Sequence, residues 1–267
     1  MATAVPSLNR TLGEVAQAVR DPRTGISVAA ASRDRRAQDR GALQFGAPHE
    51  LVDNRPRGGS DSTVFLNHLG VPVADIGFTG PYGVYHSIYD TPLWVERLGD
   101  PGFRYHVALV QIWGLLTLRL ANADALPLDY EASAAQIAMF IDQLEGRPAF
   151  AAAAASAMVA LRAASARMER AAAQFARRRD AALAADDARA LHDLNGKLIT
   201  VERALVDAGG LHGRPWYRHL IYAPKFTYAP EVLPGIAEAL EGNDGDRIAR
   251  ETERLAAALV RAARALE

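Results

Sequence analysis

The amino-acid sequence predicts an α/β region joined to an all-α region, and three observations carry that expectation. Up to about residue 100 the chain is rich in Gly and Pro, with its apolar residues in short runs, whereas the remainder is rich in Ala, Leu and Arg at helical spacing. Short apolar runs between turn residues suit an α/β layer, and sustained helical periodicity suits packed helices. The chain has 267 residues, 49% of them apolar, which is enough material to bury a core. The expected division is 1–122 and 123–267.

Taken in order, Pro6 to Val19 has the pattern of a helix ended by Asp21-Pro22. Ile26 to Ala30 and Leu43 to Phe45 are candidate strands. Asp61 can cap a short helix that carries Val64, Phe65 and His68. The run Val71 to Phe78 predicts a strand, and its continuous apolar character suits burial on both faces of a parallel sheet. Such a strand needs neighbours on both sides, so this half of the chain reads as part of a domain. Val107 to Ala121 is the longest apolar helical stretch, but Gln111, Thr117 and Arg119 interrupt it, which predicts a buried helix and no membrane span.

Two seams dominate the second half. Met158, Leu161, Ser165, Met168, Ala172 and Phe175 alternate spacings of three and four, as do Leu191, Leu194, Leu198, Val201 and Leu205. Ile137, Phe140, Ile141 and Leu144 add a further apolar face. The pattern fits a monomeric core or a subunit interface equally well. Between the helices, Gly209 to His219 runs into Tyr222-Ala223-Pro224 and Tyr228-Ala229-Pro230, an aromatic and basic loop of the length that is usually functional or packed as a cover.

Composition excludes several functions. Thirty basic residues against 31 acidic ones leave a formal charge of -1, which removes the broad positive field of a nucleic-acid binder. No cysteine is present, so a thiol nucleophile and a thiolate metal site are excluded, and any metal must be held by His, Asp and Glu. The first residues lack the charged start and apolar run of a signal peptide, which leaves the compartment open. There is no HExxH, GxSxG or GxxxxGK[ST] motif.

What remains is Gly58-Gly59-Ser60-Asp61-Ser62-Thr63-Val64-Phe65, then Leu69-Gly70-Val71-Pro72, then Tyr85-His86-Ser87-Ile88-Tyr89-Asp90-Thr91. Asp100 to His106, Leu126 to Tyr130 and Arg214 to Pro224 follow in order. This series resembles the C-terminal part of the glutamate carboxypeptidase II-like (N-acetylated alpha-linked acidic dipeptidase) family of zinc peptidases, from about Gly58 to Glu267. The resemblance implies that residues 1–122 are the C-terminal portion of an α/β zinc-exopeptidase catalytic core. It implies that residues 123–267 are an all-α helical dimerisation domain of the transferrin receptor type.

By itself, an isolated His between tyrosines is more often an ordinary side chain than a ligand. The resemblance implies that His86 is the last zinc ligand, that Tyr85 and the Gly58, Gly59 and Ser60 loop lie against substrate, and that Tyr228 closes over the substrate's C-terminal side chain. Asp61 and Asp90 suit structural tasks, a helix cap and a partner that orients His86. Thr227 stands where glutamate-selecting members carry a lysine, and Asp75 and Gly77 fall near two of their substrate-contacting arginines, so a preference for acidic dipeptides is not expected. The family's other metal ligands and its general-base Glu have no counterpart in this sequence. No catalytic residue is assigned, stable zinc binding is not expected of this chain alone, and a peptide substrate requires the missing catalytic half. The expected role is the C-terminal fragment of a dizinc carboxypeptidase or dipeptidase, inactive alone and forming a homodimer. The alternatives are a non-enzymatic dimerisation or binding module and one half of a split enzyme completed in trans.

Overall fold

The computed structural model describes residues 2–38, 51–80, 83–225 and 228–267. The chain forms two compact units. One comprises Met1–Thr3, Arg10–Asp53 and Asp75–Asn122, the other Ala4–Asn9, Asn54–Ala74 and Ala123–Glu267.

In the first unit, helix α1 spans Asn9–Ala18 after a 3-10 turn at Pro6–Leu8, close to the sequence expectation. Asp21 ends it: its carboxylate accepts from the backbone of Arg23 and Thr24 and from the Thr24 hydroxyl. Burial alone would raise the Asp21 pKa, but these bonds outweigh it and hold the group below the ordinary carboxylate value. The expected strand at Ile26 to Ala30 is instead the start of helix α2 (Val28–Gln38), because the Ser27 hydroxyl accepts from Ala30 N–H and caps the helix. Leu43 to Phe45 lies outside the described residues. Helix α5 (Arg104–Ala121) follows a short helix α4 (Pro92–Trp94) and a π-helical turn at Val95–Gly99. Its buried stripe is Ala108, Ile112 and Leu116, one residue per turn, while Val107, Val110, Trp113 and Leu118 are exposed. The expectation of a buried helix therefore holds for one face only. An Arg119–Glu14 ion pair ties α5 to α1 at 2.9 Å.

The run Val71 to Phe78 contributes only β2 (Ala74–Ile76), half-buried and paired with the single strand β1 (Ala2–Ala4). Pro72 has no N–H to give to a ladder, and β1 pairs with only one of the two edges of β2. A strand buried on both sides is therefore corrected to an edge of a two-stranded sheet.

The second unit is a helical assembly of α6 (Tyr130–Glu145), α7 (Pro148–Ala184), α8 (Ala188–Ala204), α9 (Pro234–Glu241) and α10 (Gly245–Leu266). The Asp129, Asp187 and Asp244 carboxylates cap α6, α8 and α10, and Pro148 and Pro234 open α7 and α9 where a missing N–H costs nothing. Helix α10 packs against both α7 and α8. Its apolar face buries Ile248, Leu255, Leu259, Ala262 and Leu266. Both sequence seams are internal to this bundle: Leu161, Ser165, Met168, Ala172 and Phe175 are buried, as are Leu191, Leu194, Leu198, Val201 and Leu205. A short helix α3 (Ser62–Asn67) belongs to the same unit. Beyond its end lies Gly70 with φ +64°, where a Cβ would come within 2.8 Å of the Arg203 Cα at the end of α8.

Candidate functional site

The aromatic and basic loop is a packed cover. Asp207 N–H donates to Arg218 O and Leu220 N–H to Leu205 O, while Asn67 O accepts from both Arg218 and His219. The Arg214 guanidinium stands 4.9 Å over the Tyr217 ring, donates to Pro224 O and pairs with Glu238. Beneath the loop lies a buried pair that neither periodicity nor motif order singles out. His219 is fully buried, its Nδ1 accepts from the N–H groups of Ile221 and Tyr222, and its Nε2 lies 3.0 Å from the equally buried Glu202 carboxylate. With Nδ1 accepting twice, the proton of the neutral ring sits on Nε2 and donates to Glu202. Burial, with the nearby Glu202 charge second, pushes the Tyr222 hydroxyl well above its usual pKa; the same two influences act on Tyr130.

Out of this cover emerges the segment that the family resemblance implies for substrate. Strand β3 (Tyr222–Pro224) pairs antiparallel with β4 (Pro230–Val232), and Tyr228 sits in the turn between them with φ +62°. Gly58 N–H donates to Tyr228 O at 3.2 Å. A Cβ on Gly58 would meet Pro224 at 2.6 Å, and one on Gly59, itself at φ +85°, would meet the Tyr228 ring at 3.3 Å. Only glycine lets the ring lie this close to the Gly58–Gly59 backbone. The ring is 65% exposed and offers an open aromatic face. Ser60 is exposed beside it and its carbonyl accepts from Thr63 N–H. Asp61 occupies the N-cap position of α3 but is already helical (φ −60°, ψ −23°) and makes no side-chain cap bond. The expected Asp61 cap is therefore corrected: a helical backbone turns the carboxylate away from the first-turn N–H groups that an extended cap residue reaches. Lys225 is engaged by Glu231 and Glu241. Thr227 lies outside the described residues.

Tyr85, His86 and Asp90 fall in the other unit, in the turn that leads to α4. His86 has φ +61°, is exposed, and stacks on the Tyr85 ring with centroids 3.8 Å apart. The Asp90 N–H donates to Ser87 O, and no hydrogen bond between Asp90 and His86 is found among the described residues. The orienting partner expected of Asp90 is thus corrected to an exposed turn residue. The buried carboxylate of this region is Asp100. It accepts from the N–H groups of Tyr105 and His106 at the start of α5 and from the His106 ring at 2.7 Å. Burial would raise the Asp100 pKa, but the bonds from His106 and Tyr105 outweigh it and hold the group below the ordinary value. The signal in the sequence was an Asp just ahead of a helix start.

A protein-held zinc ion needs three or four ligands converging on one point. Among the described residues no group of three His, Asp or Glu side chains could hold a metal ion, and His86 stands alone on the surface of its turn. These residues do not fit a zinc pair.

Residues 157–267 match the transferrin receptor-like dimerisation domain. The chain is 34% identical to the probable glutamate carboxypeptidase LAMP1 of Arabidopsis thaliana, over 90% of this chain and 33% of the plant protein. It is 32% identical to the probable glutamate carboxypeptidase AMP1 of the same plant, over 100% of this chain and 37% of that protein. A protein of Schizosaccharomyces pombe named an inactive zinc metalloprotease is 27% identical over 76% of this chain and 27% of its own length. Over most of its length this chain is similar to glutamate carboxypeptidases, and it carries a transferrin receptor-like dimerisation domain. It spans about a third of the length of the two plant relatives.

Proposed function

We propose that this chain supplies the C-terminal part of a dizinc carboxypeptidase or dipeptidase, contributing His86 as one zinc ligand, a stretch of substrate wall and the homodimer contact. The observation that carries the reading is the wall: Gly58 and Gly59, far from Tyr228 in sequence, meet it in space and leave its ring open. Tyr85 and Ser60 are the further substrate contacts in this reading. The remaining metal ligands and the base come from residues outside the matched third of the family's length or from a second polypeptide, so the chain hydrolyses no peptide by itself.

Zinc content after dialysis and peptidase activity test this directly. The expected result is no stoichiometric zinc and no hydrolysis from the chain alone. Activity should then appear on mixing with a separately produced polypeptide that spans the preceding two-thirds of a family member. Two zinc ions retained per chain would overturn the reading. In the completed enzyme a peptide ending in Glu should be favoured less than tenfold in kcat/KM over an apolar match. Lys225, the cation nearest to Tyr228 in sequence, is already held by two glutamates, and a buried charge without a partner is costly.

A second reading is a non-enzymatic dimerisation module, and the relative named inactive supports it. Failure of every family member's catalytic part to restore hydrolysis, with dimerisation intact, would favour it.

A further inference from the structure

We infer that His219, held by Glu202, is a positioning residue for the substrate wall: it fixes the foot of the β3–β4 hairpin and thereby the place of the Tyr228 ring beyond it. The substrate role of the wall is the reading given above, on which this rests. Glu202, His219, the hairpin and the Gly58–Gly59 loop all belong to the second unit. His219 does for β3 what an Asx side chain does for a turn, since its Nδ1 accepts from the N–H groups two and three residues on, those of Ile221 and Tyr222, at 3.2 Å each. Both residues are buried, and a buried N–H without an acceptor is costly. The Ile221 carbonyl in turn accepts from Leu233 N–H at 2.8 Å, which ties the start of the hairpin to its end.

Glu202 settles which ring nitrogen accepts. Its carboxylate takes the single ring proton at Nε2, 3.0 Å away, and so leaves Nδ1 bare for the two backbone donors. A proton on Nδ1 would face both of them. The Tyr222 ring packs beside this anchor, 5.4 Å from the His219 ring and edge-on to Phe140 of α6.

The far end of the hairpin depends on this foot. From Tyr222 the strand runs to Pro224, and the turn beyond is closed by Lys225 N–H on Ala229 O at 2.7 Å and Tyr228 N–H on Lys225 O at 3.0 Å. Over a length of about 10 Å, a tilt of about 10° at the foot moves the turn by about 2 Å. The contact there has no such slack: Gly58 N–H reaches Tyr228 O at 3.2 Å, and neither glycine has room for a Cβ. A displacement of that size breaks the bond or drives the ring into the loop. Among the described residues neither His219 nor Glu202 hydrogen-bonds to Gly58, Gly59 or Tyr228, so their influence on the wall passes through β3.

The test is amide exchange of the full chain labelled with 15N-glycine, read by NMR, in wild type, in Glu202→Gln and in the double variant Glu202→Leu with His219→Phe. The double variant replaces the buried pair with apolar side chains of similar volume, an exchange that buried pairs commonly tolerate, and removes the acceptor for Ile221 and Tyr222. Its Gly58 amide should exchange about tenfold faster than in wild type or more, while Gly196 within α8 is unchanged. Glu202→Gln, whose amide oxygen still accepts from Nε2, should keep the wild-type Gly58 rate. Unchanged Gly58 exchange in a folded double variant overturns the assignment. Should the double variant misfold, the 15N shifts of the wild-type His219 ring decide: a proton on Nε2 alone is expected, and a proton on Nδ1 overturns the assignment. In the completed enzyme the double variant should raise KM about fivefold or more with kcat unchanged. Release of Gly58 without a change in KM would remove the substrate role of the wall and leave the hold of His219 on the hairpin standing.

Discussion

The two units treat polar and apolar groups in opposite ways. In the second unit the large side chains of α7, α8 and α10 are buried in continuous seams, and even the interior charge of Glu202 is answered by His219. In the first unit Tyr85, Ile88, Tyr89, Leu93, Leu98, Val107, Val110 and Leu118 all face outward. The difference teaches that a helical bundle closes with its own local contacts, whereas an α/β layer is finished only by strands from distant parts of a chain. These exposed apolar residues of the first unit therefore contribute little to stability, and the buried ones of the second unit's seams contribute a great deal.

The sharpest break is a charge in the bundle seam. Leu198 is 1% exposed, so Leu198→Asp should abolish cooperative folding, because the loss of a buried apolar side chain and the burial of an unpartnered carboxyl together rival the stability of about 5–15 kcal/mol typical of a domain. A folded monomer from this variant would show that Leu198 is an interface residue after all.

Next comes the interior pair. His219→Ala strands the Glu202 carboxylate in the core, and denaturant unfolding should report a loss of about 3–5 kcal/mol. A loss below 1 kcal/mol would mean that the pair is not buried as described.

The first unit has comparable but weaker anchors, of which Asp100 holds the start of α5. Asp100→Ala removes the bonds that start α5 and should cost about 1–2 kcal/mol. The Asp100 pKa is lower in the folded state, so its contribution is fully present above the unfolded carboxylate value and is lost as pH falls through the folded one. Acid titration of stability below about pH 4 should therefore be shallower in the variant than in wild type. Equal slopes would remove the group from the account.

The smallest effects belong to the open surface. His86→Ala should leave stability within about 0.5 kcal/mol and zinc binding by the chain unchanged, since the ring touches little beyond Tyr85. A drop in zinc affinity would reveal ligands beyond His86.

How legible all this was in the sequence depends on the range of the interaction involved. Helix periodicity, Asp caps and the Pro starts are local, so the seams around Met168 and Leu198 could be read from spacing alone. The Gly58–Gly59 loop and Tyr228 were named from motif order, but their contact joins residues on either side of most of the chain and became visible only in space. The same holds for His219: its identity gave no hint of burial, and the partner that satisfies it lies on the preceding helix.

The sequence by itself determined the family resemblance, the all-α character of the second unit and the residues of its seams, because each rests on a pattern within a few helical turns or on the order of short motifs. Tertiary structure alone decided that both seams point inward, that Val71 to Phe78 yields only a short half-buried strand, and that Asp61 and Asp90 do not perform the cap and orienting tasks assigned to them. Those outcomes depend on which neighbours arrive to cover a face or accept a bond. Periodicity marks that a surface is apolar, and only packing selects what meets it.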